Sequence, residues 1–327
     1  MNLKSILIAV TLCLLLIVTK PVSASTLTLT ITTNKQTYNA GETVIIQGNL
    51  TLDGSPAQDA LIALEIDTEY RYYVFRTLQT DAIEGANWLV EITDLYSCDM
   101  YGNPQNSFMR GSTAYAKVVW KNNSNVSQSI MVAFYLQFST GSPFQAFYNK
   151  VSTSANSSSY IIASFEISST APTGITTIYS SLYTDFPKNG GIPYCPEKNA
   201  TFTITSTSST GSQLSAYTLI STSSTSNFQV AITLPKLDVM LGNYTVYGSC
   251  KYGNESVLST AQFRVILVGD VNEDMKVDMK DIGLAAKAYG SKPGDPNWDP
   301  RCDLNNDGKI DMKDIGIICK NYGNTGV

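Results

Sequence analysis

Between residues 26 and 268 apolar and polar positions alternate in short runs, and no stretch sustains a helical period. The runs are rich in Val, Ile, Thr, Tyr and Phe, and Gly, Asn, Asp, Ser and Pro separate them, which is the composition of strands joined by turns. Residues 27–32 alternate Leu and Ile with Thr, as a strand with one buried face requires. Further strands are predicted at 43–52, 61–68 and 73–80, then at 88–93, 113–120, 129–138, 144–151, 160–167, 176–183 and 201–205, and finally at 227–235, 243–250 and 256–268. Past residue 269 the period changes. Ile282, Ala285, Ala286 and Tyr289 recur at i, i+3, i+4, i+7, and Ile315, Ile318, Cys319 and Tyr322 repeat that spacing, predicting two short helices with those residues on the apolar face. Gly290 and Gly323 follow as stop signals, and Pro293, Pro296 and Pro300 make 291–301 mostly loop.

The expected fold class is mainly β, two β-sandwiches and a small α-helical module. Four strands before residue 86 leave open edges and a half-covered core, and the three strands after 227 would complete them. Residues 87–206 hold a full set of their own. The expected division is therefore 26–86 with 207–268 as one discontinuous sandwich, 87–206 inserted in it, and 269–323 as a C-terminal module. Three consecutive modules, two of them truncated, are the alternative. The Ser- and Thr-rich stretch 206–226 would be the return linker, with a short extra strand at 214–220 an option. Tyr38-Asn39-Ala40-Gly41-Glu42-Thr43-Val44 resembles the Y-x-x-G-E-x-V turn of macroglobulin-type and bacterial immunoglobulin-like domains, which implies immunoglobulin-like sandwiches and says little about function.

Composition narrows the function classes. With 43% hydrophobic, 10% aromatic and 15% charged residues in 327, the chain is too apolar for a disordered polymer. It contains no histidine, which removes Ser-His-Asp and Cys-His catalysis, His-ligated zinc and His pH switches. A net charge of −5 with no basic run argues against a nucleic-acid partner. Residues 1–24 read as a signal peptide: Lys4, an apolar run over 6–18, and small residues at Val22-Ser23-Ala24. An uncleaved anchor is the alternative. No second such run exists, so the mature chain should have no transmembrane segment and be secreted or held at the cell surface. Seven Asn-x-Ser/Thr sequons, at Asn49, Asn122, Asn125, Asn156, Asn199, Asn243 and Asn254, permit glycosylation. Cys98, Cys195, Cys250, Cys302 and Cys319 remain after the leader, an odd number. Cys98 and Cys195 flank the first and last strands of the inserted region and are disulfide candidates, with two separate thiols the alternative.

The C-terminal helices belong to a repeat with an offset of 33 residues, 269–290 against 302–323. Each copy opens on a twelve-residue loop with oxygen donors at positions 1, 3, 5, 9 and 12: Asp270, Asn272, Asp274, Asp278 and Asp281, then Asp303, Asn305, Asp307, Asp311 and Asp314. Position 7, Lys276 or Lys309, would give its main-chain carbonyl. Hard oxygen donors at these intervals match the Ca²⁺ loop of EF-hands, so two ions are expected. Val277 and Ile310 at position 8 are apolar, as expected if the two loops pair through a short strand contact. The loops follow a strand end and a Pro-rich turn rather than a helix, and position 12 is Asp. This combination resembles the dockerin domain, a calcium loop plus one helix per repeat. The resemblance implies a cohesin-domain partner, met through helix faces and loop positions 10 and 11, here Met279, Lys280, Met312 and Lys313. Position 6 is Gly308 in the second loop but Met275 in the first, so a weaker first site is expected.

For activity the sequence leaves two classes. The preferred one is a non-catalytic protein that docks through calcium, its sandwiches serving as spacers, adhesive units or binders of a polysaccharide or cell-surface glycan. Trp88, Trp120, Tyr70, Tyr72 and Tyr73 are stacking candidates, although such residues are more often core. The alternative is a glycoside hydrolase, for which Glu65, Asp67, Glu69, Glu91, Asp94, Asp99, Glu166 and Asp185 are carboxylate candidates without a recognisable motif.

Overall fold

The computed structural model describes residues 25–68, 72–80, 87–206 and 226–327. The leader, Glu69, Tyr70 and most of the Ser/Thr-rich return segment lie outside these residues. In chain order the first strands are β1 (Leu27–Thr33), β2 (Thr37–Asn39), β3 (Thr43–Leu52), β4 (Ser55–Pro56), β5 (Leu61–Thr68) and β6 (Tyr72–Gln79). Next come β7 (Val90–Cys98), β8 (Ser107–Met109), β9 (Thr113–Asn122), β10 (Gln128–Phe138), β11 (Pro143–Thr153), β12 (Ser158–Glu166), β13 (Gly174–Tyr183) and β14 (Lys198–Thr205). The chain closes with β15 (Asn227–Thr233), β16 (Gly242–Tyr252), β17 (Glu255–Ile266) and the helices α1 (Met279–Lys287) and α2 (Met312–Asn321).

Strands from both sides of residues 87–206 share the same sheets. β15 pairs with β3 beside β1, and β16 pairs with β5 in a sheet ordered β2-β17-β16-β5-β6. Alternation places the inward residues: Leu27, Leu29 and Ile31 of β1 are buried and the threonines between them exposed. Ile46, Leu50, Ile62, Leu64, Tyr244 and Phe263 fill the space between the layers, the last two stacked with centroids 4.8 Å apart. The layers approach closely at Gly248, where a Cβ would lie 2.1 Å from Ile31 Cδ1. Tyr38 of the Tyr-x-x-Gly-Glu turn is buried edge-on against Phe263, and Gly41 takes φ +79°.

Residues 90–205 build their own two layers, β12-β9-β7 against β11-β10-β13-β14-β8. Trp120, Phe134, Phe165 and Phe202 form their centre, and Trp120 Nε1 donates to Thr153 Oγ1 at 2.8 Å. Trp120 and Tyr73 are therefore core residues and Trp88 is half-buried against the same core, so these three offer no sugar-stacking platform. Asn122 is also buried, its amide donating to three carbonyls, and that sequon is closed to modification in the folded chain.

The two cysteines proposed as a disulfide are not joined; both are buried free thiols. Cys195 sits against the backbone of Ile92, which hydrogen-bonds its sulfur, and burial pushes its thiol up to about 12. Cys98 lies six residues farther along the same extended strand, β7. At about 3.3 Å per residue that is roughly 20 Å, far beyond the reach of a disulfide.

The sandwiches meet along β6. The Arg76 guanidinium pairs with Glu197 at 2.6 Å and lies 3.9 Å over the Tyr179 ring, and Glu197 also accepts the Thr77 N–H. Ala63, Phe75, Met131, Ala133, Tyr183 and Phe186 close a small apolar cluster beside them. Glu65 is fully buried there, accepting the Lys188 N–H at 3.0 Å, while Lys188 Nζ contacts Asp67 at 2.6 Å.

Candidate metal centre

Each C-terminal loop is organised by its own carboxylates reaching back to main-chain N–H groups. Asp278 caps α1 by accepting from Lys280 N, and Asp281 returns the bond to Asp278 N, a reciprocal capping box. Asp311 and Asp314 do the same for α2. Asp281 Oδ1 also accepts from Val271 N at 2.8 Å and Asn272 N at 3.2 Å, and Asp314 Oδ1 from Leu304 N at 2.9 Å and Asn305 N at 3.3 Å. Both aspartates are fully buried. Asp270 accepts from Asp274 N and Met275 N, and Asp303 from Asp307 N and Gly308 N, so the first donor of each loop clamps its fifth and sixth residues. Position 6 has positive φ in both, +66° at Met275 and +82° at Gly308.

The donors are brought together short of saturation. Asp274 Oδ1 is buried without a hydrogen-bond partner, as is Asn305 Nδ2, while Asn305 Oδ1 accepts from Asp307 N at 2.8 Å. Burial pushes the Asp270 carboxyl above its ordinary value; the N–H groups of Met275 and Asp274 pull it back, and the nearby Asp281 and Asp274 add to the rise. A cation among these oxygens would relieve the crowding, and an orphaned carboxylate oxygen inside a loop of hard donors fits calcium. Among the described residues no three carboxylate or thiol side chains form a metal cluster by themselves. The set depends on Asn272, Asn305 and main-chain carbonyls as well. Lysines neutralise part of the charge: Lys280 Nζ lies 2.8 Å from Asp274, Lys313 3.3 Å from Asp307 and Lys309 2.7 Å from Asp311. Lys280 holds Asp274, and Lys309 holds Asp311, below the usual carboxylate range.

Two expectations are corrected here. Val277 and Ile310 do not pair with each other. Val277 exchanges hydrogen bonds with Gly323 and Asn324, and Ile310 with Gly290 and Ser291, so each loop pairs with the residues that follow the other loop's helix. Gly290 and Gly323, at φ +80° and +85°, reverse the chain into those positions. The helix faces are also rotated. Asp281, Ala285 and Ala288 face inward on the first repeat and Asp314 and Ile318 on the second, whereas Ala286, Tyr289, Cys319 and Tyr322 are exposed. The position-12 aspartate must turn inward to close its loop, and this sets the helix azimuth: the inward residues follow it at i+4 and i+7. Tyr289 and Tyr322 thus join Met279, Lys280, Met312 and Lys313 on the outer surface, with Met279 and Met312 each 63% exposed.

The carboxylates weighed for hydrolysis are mostly apart from one another. Glu91 and Asp94 lie on β7, Glu166 on β12, Asp99 in the turn after β7, and Asp185 is paired with Lys150. Only Glu65 and Asp67 among the described candidates share one lysine, and Glu65 has no exposed surface.

A family model, the dockerin type I domain, matches residues 268–322. No curated protein matches the chain. Among solved structures the chain is similar to the C-terminal domain of wzt, at 9% identity and TM-score 0.32 over 40% of this chain and 86% of that one. It is also similar to the alkylpurine DNA glycosylase AlkC of Pseudomonas fluorescens bound to DNA with an abasic site analog (15%, TM-score 0.27, 37% of this chain and 32% of that one). A β-glucosidase from Listeria innocua follows at 11% and TM-score 0.26, over 38% of this chain and 17% of that one. The chain thus spans a third or less of these two enzymes, and at such TM-scores the likenesses carry no argument. No helix among the described residues is long and apolar enough to cross a membrane.

Proposed function

With residues 268–322 a type I dockerin domain, we propose that this chain is a secreted or cell-surface protein that docks by calcium onto a cohesin-bearing partner. Asp270, Asn272, Asp274, Asp278, Asp281 and the Lys276 carbonyl hold one Ca²⁺, and Asp303, Asn305, Asp307, Asp311, Asp314 and the Lys309 carbonyl hold a second. The bound ions supply the positive charge that lets these carboxylates crowd together. The observation that carries this reading is the buried, unpartnered Asp274 Oδ1 inside a loop whose other donors are already clamped to the main chain. Helices of nine and ten residues are too short to persist alone, so ion binding at each loop and ordering of that loop with the start of its helix are one event. Met275 carries a left-handed backbone that costs a non-glycine residue about 1 kcal/mol, so the first site is the weaker.

Met279 and Lys280 form one docking face and Met312 and Lys313 its pseudo-twofold copy, both exposed. The two immunoglobulin-like sandwiches, 26–86 with 207–268 and the inserted 87–206, space or present this module, and a glycan is their candidate ligand. The sharing of sheets by β3 with β15 and β5 with β16 supports that division. The test is circular dichroism and cohesin capture with calcium and with chelator, on the wild type and on Asp281→Ala with Asp314→Ala. Gain of helix and capture only with calcium, both lost in the double variant, is the expected result; equal spectra with and without calcium refute it. The hydrolase alternative rests on Glu65 and Asp67 sharing Lys188, and the burial of Glu65 weighs against it. Turnover on a panel of polysaccharides would decide for it.

A further inference from the structure

The pseudo-symmetry of the two calcium loops breaks at one place. In the second repeat, pairing with Ile310 stops at Ser291, and Lys292 turns away to bond Asp295. In the first repeat the equivalent segment continues as a short strand. Val277 N donates to Asn324 O at 3.0 Å, Lys276 bridges Thr325, and Gly326 N donates to Met275 O at 2.9 Å. The opposite edge of the same segment pairs with the connection between β15 and β16. Thr325 N donates to Lys236 O, Val239 N to Thr325 O, Val327 N to Val239 O and Leu241 N to Val327 O, at 2.9 to 3.2 Å. Asp238 N adds a bond to Thr325 Oγ1, at 2.7 Å. Gly326 packs so closely that a Cβ would lie 2.6 Å from Leu241 Cδ1. Val239 is fully buried, and Val271 and Val277 belong to the same apolar core as the sandwich. Asn39 of β2 adds a second tie, donating to Asn321 Oδ1 at 2.6 Å and accepting from Val268 N.

We propose that calcium in the first loop, and not in the second, locks the C-terminal module onto the β-sandwich through the shared strand Thr325–Val327. The residue that offers its carbonyl to the ion, Lys276, is the one whose backbone bridges Thr325. Ordering of 275–277 therefore fixes 323–326, and that strand fixes 236–241. The second loop has no such continuation. The module is thereby held in one orientation on the sandwich while calcium is present and loses that attachment when it is absent. Once 275–277 loosens, Thr325–Val327 keeps only its pairing with 236–241, so loss of one edge weakens the other.

The inference rests on the calcium reading of the loops, and hydrogen exchange on the full chain separates the two. The amides of Val271 and Leu304, bonded to Asp281 and Asp314, report the loops; those of Val239 and Leu241 report the lock. Calcium is expected to slow all four by tenfold or more. In Asp274→Asn the slowing of Val239 and Leu241 should be lost, and in Asp307→Asn it should persist. Thr325→Pro, which removes the N–H given to Lys236, should free Val239 and Leu241 while Leu304 stays protected. Calcium protection of Val271 and Leu304 without any change at Val239 and Leu241 would overturn the lock and leave the calcium reading standing. No protection anywhere would overturn both.

Discussion

Glu65 illustrates how one buried group sets a pH response. Burial raises its carboxyl from 4.5 to about 7; the Lys188 backbone N–H offsets part of the rise, Asp67 adds to it and the Lys188 ammonium again reduces it. Its Oε1 has no hydrogen-bond partner, with Lys188 Nζ 3.6 Å away. Because the folded value is above the unfolded one, folding binds this proton more tightly. Below about pH 4.5 both states are protonated and nothing is lost. Stability attributable to Glu65 then falls as pH rises from about 4.5 to 7, and the deficit of about 3 kcal/mol stays constant above that. Glu65→Gln should therefore melt at a higher temperature than the wild type at pH 8, and at nearly the same temperature at pH 4.5, in saturating calcium. Melting curves that shift in parallel at both pH values would contradict this. None of it was legible in the sequence. Glu65 stands between Leu64 and Ile66 on a strand whose covered faces the sequence does not fix, and the Lys188 turn that packs on it comes from more than a hundred residues later.

At the scale of elements, local periodicity was read well for the strands and less well for the helices. β1 and β17 alternate as written because each has one covered face. For α1 and α2 the hydrophobic spacing selected one face each, and the inward turn of the capping aspartates rotates the buried face away from it. A carboxylate counts as polar in any such reading, yet Asp281 and Asp314 are the most buried residues of their helices together with Ala285 and Ile318. Ile318 and Tyr322 are treated alike by the spacing but not by the structure. Ile318→Ala removes a fully buried side chain and should cost the calcium-loaded module about 3 kcal/mol, whereas Tyr322→Ala should cost little. Thermal or urea melting followed by helical ellipticity measures both, and equal losses would restore the face that includes Tyr322. The Cys98–Cys195 pairing failed for a related reason. Proximity of two strands was inferred from their order, but the two cysteines lie at different heights along β7. The dockerin repeat itself was legible because its donors are fixed by loop position and not by tertiary context.

Across the whole molecule three bodies are tied by polar contacts that replace flexible connections. β6 carries Arg76 to Glu197, and Tyr183 donates its hydroxyl to Arg76 O at 2.8 Å. Both charged side chains are only 13% exposed, so each depends on the other. Glu197→Gln leaves a buried guanidinium without its anion and should destabilise the chain by about 3–5 kcal/mol, lowering the melting temperature of both sandwiches together. Two separate transitions, only one of them moved, would show that the sandwiches unfold independently. That the chain is mainly β, with a helical calcium-type module at its end, followed from pattern alone. Which strands meet across residues 87–206, and how residues 325–327 tie the module down, required the structure, because both depend on pairings between segments far apart in sequence.

The central claim is that the two acidic loops bind calcium and that binding builds the docking module. Calorimetric titration of the full chain with calcium chloride tests it most directly. Saturable heat with two ions per chain, the first-loop ion the weaker, and no heat for Asp281→Ala with Asp314→Ala, is the predicted result. A wild-type titration that releases no heat up to millimolar calcium would contradict it.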